Sequence, residues 1–171
     1  LRCRRTRSSS PDDGYQDFFQ AAFPVLETYH LRSVSYVIPG FLGRVGYMTQ
    51  AQVADLDQTG LVEIASHTMT HPDLTRLDAR ALAIQLDASK ATLEQLLGHP
   101  VDDFCYPYGR FDPRIVAAVA AAGYQSATTE VFGTDHGWSD RLTWSRVRVT
   151  GGEPLTQFSQ SLFGPSRSPA V

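Results

Sequence analysis

Short β-branched and aromatic runs alternate along this chain with capped, helix-patterned segments, and that alternation most restricts its fold. Residues 33–38 (SVSYVI) are closed by Pro39-Gly40 and read as a buried strand. Residues 61–65 (LVEIA), 104–106, 124–128 and 144–149 (WSRVRV) read as four more strands. Between them the pattern predicts a helix from Thr49 to about Asp57, ended by Gly60. Asp78 caps a longer one, with Leu82, Leu86, Leu93 and Leu97 on one face and Gly98 as its left-handed stop. A third starts at the N-cap Asp112, has Pro113 at its first position and ends near Gly123. Residues 16–30 place Phe19, Phe23 and Leu26 at helical spacing, but Pro24 predicts a kink or early break. One more helix is expected around residues 155–163. Strands separated by helices imply parallel pairing and an α/β architecture.

At 171 residues, with 42 % apolar and 19 % charged, the chain suits one domain with one core. A formal charge of -3 argues against nucleic acid or an anionic membrane as partner, since both select basic surfaces. No run approaches the roughly 18 apolar residues of a transmembrane helix. Cys3 and Cys105 give neither a disulfide framework nor a zinc-type cysteine spacing, and Cys105 reads as a small buried thiol. Gly40-Phe41-Leu42-Gly43 lacks the lysine and the spacing of a phosphate loop. Arg2, Arg4, Arg5 and Arg7 resemble the start of a signal peptide, but no apolar stretch follows them. Residues 1–11 are therefore expected to be an irregular basic segment and residues 12–171 to form the domain, with no targeting segment to mark a compartment.

Three short elements carry chemistry. Asp12-Asp13-Gly14 sets two carboxylates before a turn. His67-Thr68-Met69-Thr70-His71 follows the strand ending near Ala65, and on a helical turn its two imidazoles would share one face. Two unrelated surface histidines would give the same spacing. Residues 104–109 (FCYPYG) end another strand, where Pro107 and Gly109 can aim a main-chain N–H into a site or simply build a rigid aromatic turn.

Taken together, in this order, the three elements resemble the polysaccharide deacetylase family, also called the NodB-homology or carbohydrate esterase 4 group. Asp12-Asp13-Gly14, His67-Thr68-x-x-His71 and Pro107-Tyr108-Gly109 match its first three motifs, and the resemblance runs from about Asp12 to Val149. It implies a distorted (β/α) barrel of the NodB type, with a divalent cation at the C-terminal ends of the strands. Asp13, His67 and His71 would ligate that cation, taken as zinc with cobalt or nickel as alternatives. Asp12 would be the general base, and the N–H of Tyr108 would help to hold the oxyanion. The implied reaction removes acetyl groups from an N-acetylated polysaccharide, whether chitin-like, peptidoglycan-like or an exopolysaccharide. Pro107 and Tyr108 would line the substrate. A carbohydrate-binding pseudoenzyme on the same fold is the alternative.

The chain departs from the family pattern in several places. Cys105 stands where the third motif usually opens with an arginine that orients the base. Arg146 is the candidate replacement, although strand alternation puts it on the same face as Arg148. The late histidine motif that supplies a general acid is missing, and His136 is the candidate that remains. Trp138, two residues on, is a candidate sugar-stacking surface. The barrel is expected to be incomplete after Val149. It is also expected to be incomplete before Asp12, where Ser8-Ser9-Ser10-Pro11 replaces an apolar strand. A frameshift would account for that: TCG TCC TCA CCT encodes Ser-Ser-Ser-Pro, and read from its third base it gives Val-Leu-Thr.

Overall fold

The computed structural model describes residues 8–134 and 136–163. Five strands, β1 (Ser33–Val37), β2 (Val62–Ser66), β3 (Asp103–Cys105), β4 (Ser126–Phe132) and β5 (Trp144–Arg146), form one parallel sheet in sequence order. Their helices are α1 (Phe23–Thr28), α2 (Gln50–Gln58), α3 (Ala79–Leu97), α4 (Pro113–Ala121) and α5 (Leu155–Phe163). This is the α/β architecture expected from the alternation. Among the described residues no hydrogen-bonded strand pairing closes the sheet between β5 and the opposite edge.

The caps explain where the helices begin. Thr49 and Gln52 form a reciprocal capping box on α2, Asp78 accepts from Ala81 N–H on α3, and Asp112 accepts from Ile115 N–H on α4. Gly98, at φ 79°, ends α3 by returning its N–H to the Glu94 carbonyl. Leu82, Leu86 and Leu93 of α3 meet Val53, Leu56, Ile64, Phe104, Ile115 and Val119 in one buried core. Pro24 has the foreseen effect in a specific form. A π-helical turn, Phe18–Ala22, precedes α1, and Phe23 N–H donates to Phe18 O, five residues back.

Residues 1–7 lie outside the described residues, and residues 8–11 form no strand beyond one isolated bridge, yet they are bonded to β1. Ser9 bridges Ser33 in parallel, and Val34 and Tyr36 donate to the Ser9 and Pro11 carbonyls at 3.0 Å. This polar segment can serve as an edge because Ser9 Oγ also bonds Ser33 Oγ, and because Pro11 is needed only as an acceptor. One expectation is corrected: the alternation through residues 144–149 fails. The strand stops at Arg146, whose side chain is largely covered, whereas Arg148 is exposed and pairs with Glu130 at 3.4 Å. Among the described residues no helix is long and apolar enough to cross a membrane.

Candidate active site

Every element singled out for chemistry emerges at the C-terminal end of a parallel strand, where α/β folds place their ligands. Asp12 and Asp13 follow the 9–11 edge, His67 directly follows β2, Tyr106 to Gly109 follow β3, and Arg146 closes β5.

His67 and His71 are not on a helical turn. The segment between them is an irregular loop in which Thr68 (φ 66°) and His71 (φ 57°) take left-handed backbone, and Thr68 Oγ1 accepts from His71 N–H at 2.9 Å. Loop closure, rather than helical spacing, brings the rings together. Their Nε2 atoms lie 3.1 Å apart, and Asp13 Oδ1 lies 3.6 Å from His67 Nε2 and 3.5 Å from His71 Nε2. Ligand bonds of about 2.0–2.2 Å in tetrahedral array separate ligand atoms by about 3.3–3.6 Å, so this triangle has the dimensions of a cation site. Asp13 Oδ1 is buried and has no hydrogen-bond partner, a costly state that a cation would relieve.

The tautomer is also suited to ligation. His67 Nδ1–H donates to the Cys105 carbonyl at 2.7 Å, which leaves Nε2 as the free lone pair. Burial lowers the pKa of His67, with the Asp12 charge and the Cys105 carbonyl opposing, so the ring is held in its neutral, ligating form. Asp12, His67 and Cys105 also approach one another closely. That second grouping is a poor cation site. Burial raises the Cys105 pKa and keeps it a thiol, and the Arg146 guanidinium fills the space beside it.

Asp12 is held differently from Asp13. Arg146 grips it in a two-pronged pair, Nη1 to Oδ1 at 2.7 Å and Nη2 to Oδ2 at 2.8 Å. The Arg146 Nε–H donates to the Thr129 carbonyl, Nη1 reaches Ser10, and Nη2 lies 3.1 Å from Cys105 Sγ. Burial disfavours the Arg146 charge, but the Asp12 carboxylate and its hydrogen bonds more than offset this and raise its pKa. The guanidinium thus spans from β5 to the 9–11 edge, across the side on which the sheet is open.

Tyr108 sits inside a short 3-10 turn at φ 57°, and its ring meets His71 edge-on at a centroid distance of 4.6 Å. Among the described residues none accepts its backbone N–H. Gly109 must stay small, because a Cβ there would meet Glu130 Cβ at 2.6 Å. His136 is not brought to this cluster: its Nε2 donates to the Ser145 carbonyl at 2.7 Å, and its exposed ring stacks on Trp144. Trp138 is also exposed, with Arg141 over its ring. Sequence reasoning missed the part played by Cys105, whose carbonyl orients His67 and whose thiol backs Arg146. The only signal was a cysteine in the place of a family arginine.

Residues 5–127 match the protein-family model described as polysaccharide deacetylase. The chain is 29 % identical over 153 residues to YxkH of Bacillus subtilis (strain 168), named for the same family, covering 90 % of this chain and 53 % of that one. It is 25 % identical over 131 residues to the poly-beta-1,6-N-acetyl-D-glucosamine N-deacetylase of Staphylococcus epidermidis, covering 69 % of this chain and 45 % of that one. The chain therefore spans about half the length of these curated relatives. The fold matches the Streptococcus pyogenes deacetylase PplD, solved with acetate, at a TM-score of 0.87 and 24 % identity, over 94 % of this chain and 72 % of that one.

Proposed function

The chain belongs to the polysaccharide deacetylase family, and on that premise we propose that it is a metal-dependent hydrolase that removes acetyl groups from N-acetylated sugars of a polysaccharide. The observation that carries this reading is the candidate ligand triangle of Asp13, His67 and His71 beside a second carboxylate, Asp12, that a largely covered arginine orients. Asp13, His67 and His71 would hold the divalent cation. Zinc suits an Asp-His-His set, and cobalt or nickel are alternatives. When bound, the cation lowers the pKa of water and polarises a carbonyl.

The chain's own residues account for the remaining work. Asp12 accepts a proton from the attacking water, and Arg146 aims it while both its oxygens retain free lone pairs. The Tyr108 N–H, already without an internal acceptor, donates to the oxygen that becomes negative as the acetyl carbon turns tetrahedral. The amine must leave with a proton, and Asp12, having just gained one, can return it. Water and an N-acetyl group thus become acetate and a free amine. Exposed Tyr108 and Trp138 offer apolar faces to a sugar ring, and Pro107 fixes the backbone beneath Tyr108.

The test is acetate release from N-acetylglucosamine oligomers, β-1,6-linked first because of the Staphylococcus relative, with added zinc or cobalt. His67→Ala is expected to lower the rate on the order of 10³-fold through loss of the cation. Asp12→Asn is expected to lose about 10²–10⁴-fold while still binding metal. Equal rates in wild type and both variants would sink the hydrolase reading. Oligomer binding without acetate release by the wild type would favour a carbohydrate-binding protein instead.

A further inference from the structure

The loop 38–48, which leads from β1 to α2, touches both halves of the ligand triangle and contributes no ligand to it. On one side Gly40 N–H donates to the Met69 carbonyl at 3.0 Å, midway between His67 and His71. On the other, Met48 N–H donates to the Gly14 carbonyl at 3.0 Å, and Gln16 N–H donates to the Gly46 carbonyl at 2.9 Å. Tyr15 and Tyr47 form an antiparallel bridge, and their rings stack at 5.0 Å. The loop is closed on itself by Gly43 N–H to Met48 O at 2.9 Å, with Phe41 edge-on to Tyr47. It is therefore a bonded brace from the Asp13 turn to the histidine loop.

The contact at Gly40 is the tightest part of this brace. A Cβ at Gly40 would collide with the Met69 carbonyl oxygen and press on Thr70 Cγ2 at 3.3 Å. Thr70 has little freedom to retreat, because Gln85 of α3 accepts from its N–H and donates to its hydroxyl. Pressure at Gly40 would pass along the backbone to the adjoining His71, which already stands at φ 57°.

We propose that loop 38–48 positions the cation ligands relative to one another, and that Gly40 is its critical contact. The proposal rests on the metal-site reading above, so its test reads binding rather than acetate release. Cobalt is titrated into wild type, Gly40→Ala, Tyr47→Leu and Gly151→Ala, with visible absorption reporting affinity and ligand geometry. Gly40→Ala is expected to bind about ten- to a hundredfold more weakly with an altered cobalt spectrum, the range of other supporting-residue losses at metal sites. Tyr47→Leu, which keeps apolar bulk but removes the ring stack, is expected to lose severalfold, and it decides the matter should Gly40→Ala not fold. Gly151, where a methyl group meets nothing within 4 Å, serves as the control and should match wild type. Folded Gly40→Ala and Tyr47→Leu with wild-type affinity and spectrum would overturn the proposal. So would a lowered thermal midpoint with an unchanged spectrum, because that is a structural role alone. Wild type that binds no cobalt would overturn both readings, whereas binding without acetate release would remove only the hydrolase.

Discussion

The loops at the C-terminal ends of the strands and the helix α3 beneath them are built on opposite principles. Of the five non-glycine residues with positive φ among the described residues, four are Asp13, Thr68, His71 and Tyr108. Such backbone costs on the order of 1–3 kcal/mol each and persists only where surrounding contacts hold it. Asp13 Oδ1 is buried without a partner at the same place. In and around α3 the buried polar groups are satisfied: Ser89 Oγ bonds Ser66 Oγ at 2.8 Å and Tyr124 at 3.2 Å, and Tyr124 donates to the Leu86 carbonyl at 3.1 Å. The difference teaches where strain and stability are divided in this chain. The helical layer supplies a rigid base, and the loops use it to hold groups in arrangements that local energetics disfavour.

If that division is real, substitutions in the two regions should fail in different ways. Leu86→Ala, at a fully buried position of α3, is expected to cost about 2–5 kcal/mol of folding stability and leave acetate release per folded molecule unchanged. A parallel loss of rate would break the comparison. Arg146→Met should do the reverse, lowering the rate about 10²-fold through misplacement of Asp12 while metal affinity holds. Arg146→Lys should not restore it, because an ammonium cannot make the two-pronged grip.

Smaller effects sharpen the contrast at its edges. Asp78→Ala removes the cap of α3 and should cost about 1 kcal/mol in denaturant unfolding, again without kinetic effect. Glu63, on β2 away from the ligands, has its pKa pushed up to about 7, chiefly by a hydrogen bond with Asp103, then by burial and the Asp103 and Asp102 charges, with His99 opposing. A carboxyl raised in the folded state binds its proton more tightly there than when unfolded. Its contribution is therefore complete below its ordinary value near 4.5 and is lost as pH rises toward about 7. Glu63→Gln should be more stable than wild type at pH 8 by less than about 1 kcal/mol, given its exposure, and the gap should close by pH 4. A gap that widens toward acid would refute the assignment.

Much of the helical layer was legible because its signals are local. Asp78, Asp112, Pro113 and Gly98 each fix a boundary through bonds to neighbours within a few residues. The leucines of α3 declare their face by spacing alone. The candidate cation ligands could be read as residue types in order. Their arrangement could not, because the backbone at Thr68 and His71 leaves the helical path that a four-residue spacing suggests. The bonds of Ser9 and Pro11 to β1 were hidden for a related reason: they need carbonyls in register with Val34 and Tyr36, and composition does not report that.

The sequence by itself determined the alternation of strands and helices, the order of the three chemical elements and the residue types able to hold a cation. Those follow from short-range propensity and from the identity of side chains. Only the tertiary structure decided that Arg146, 134 positions from Asp12, is its partner, that His136 turns instead to Ser145, and that loop 38–48 ties the two halves of the triangle together. Such choices depend on which chain segments the packed sheet brings side by side, and no local pattern encodes that distance.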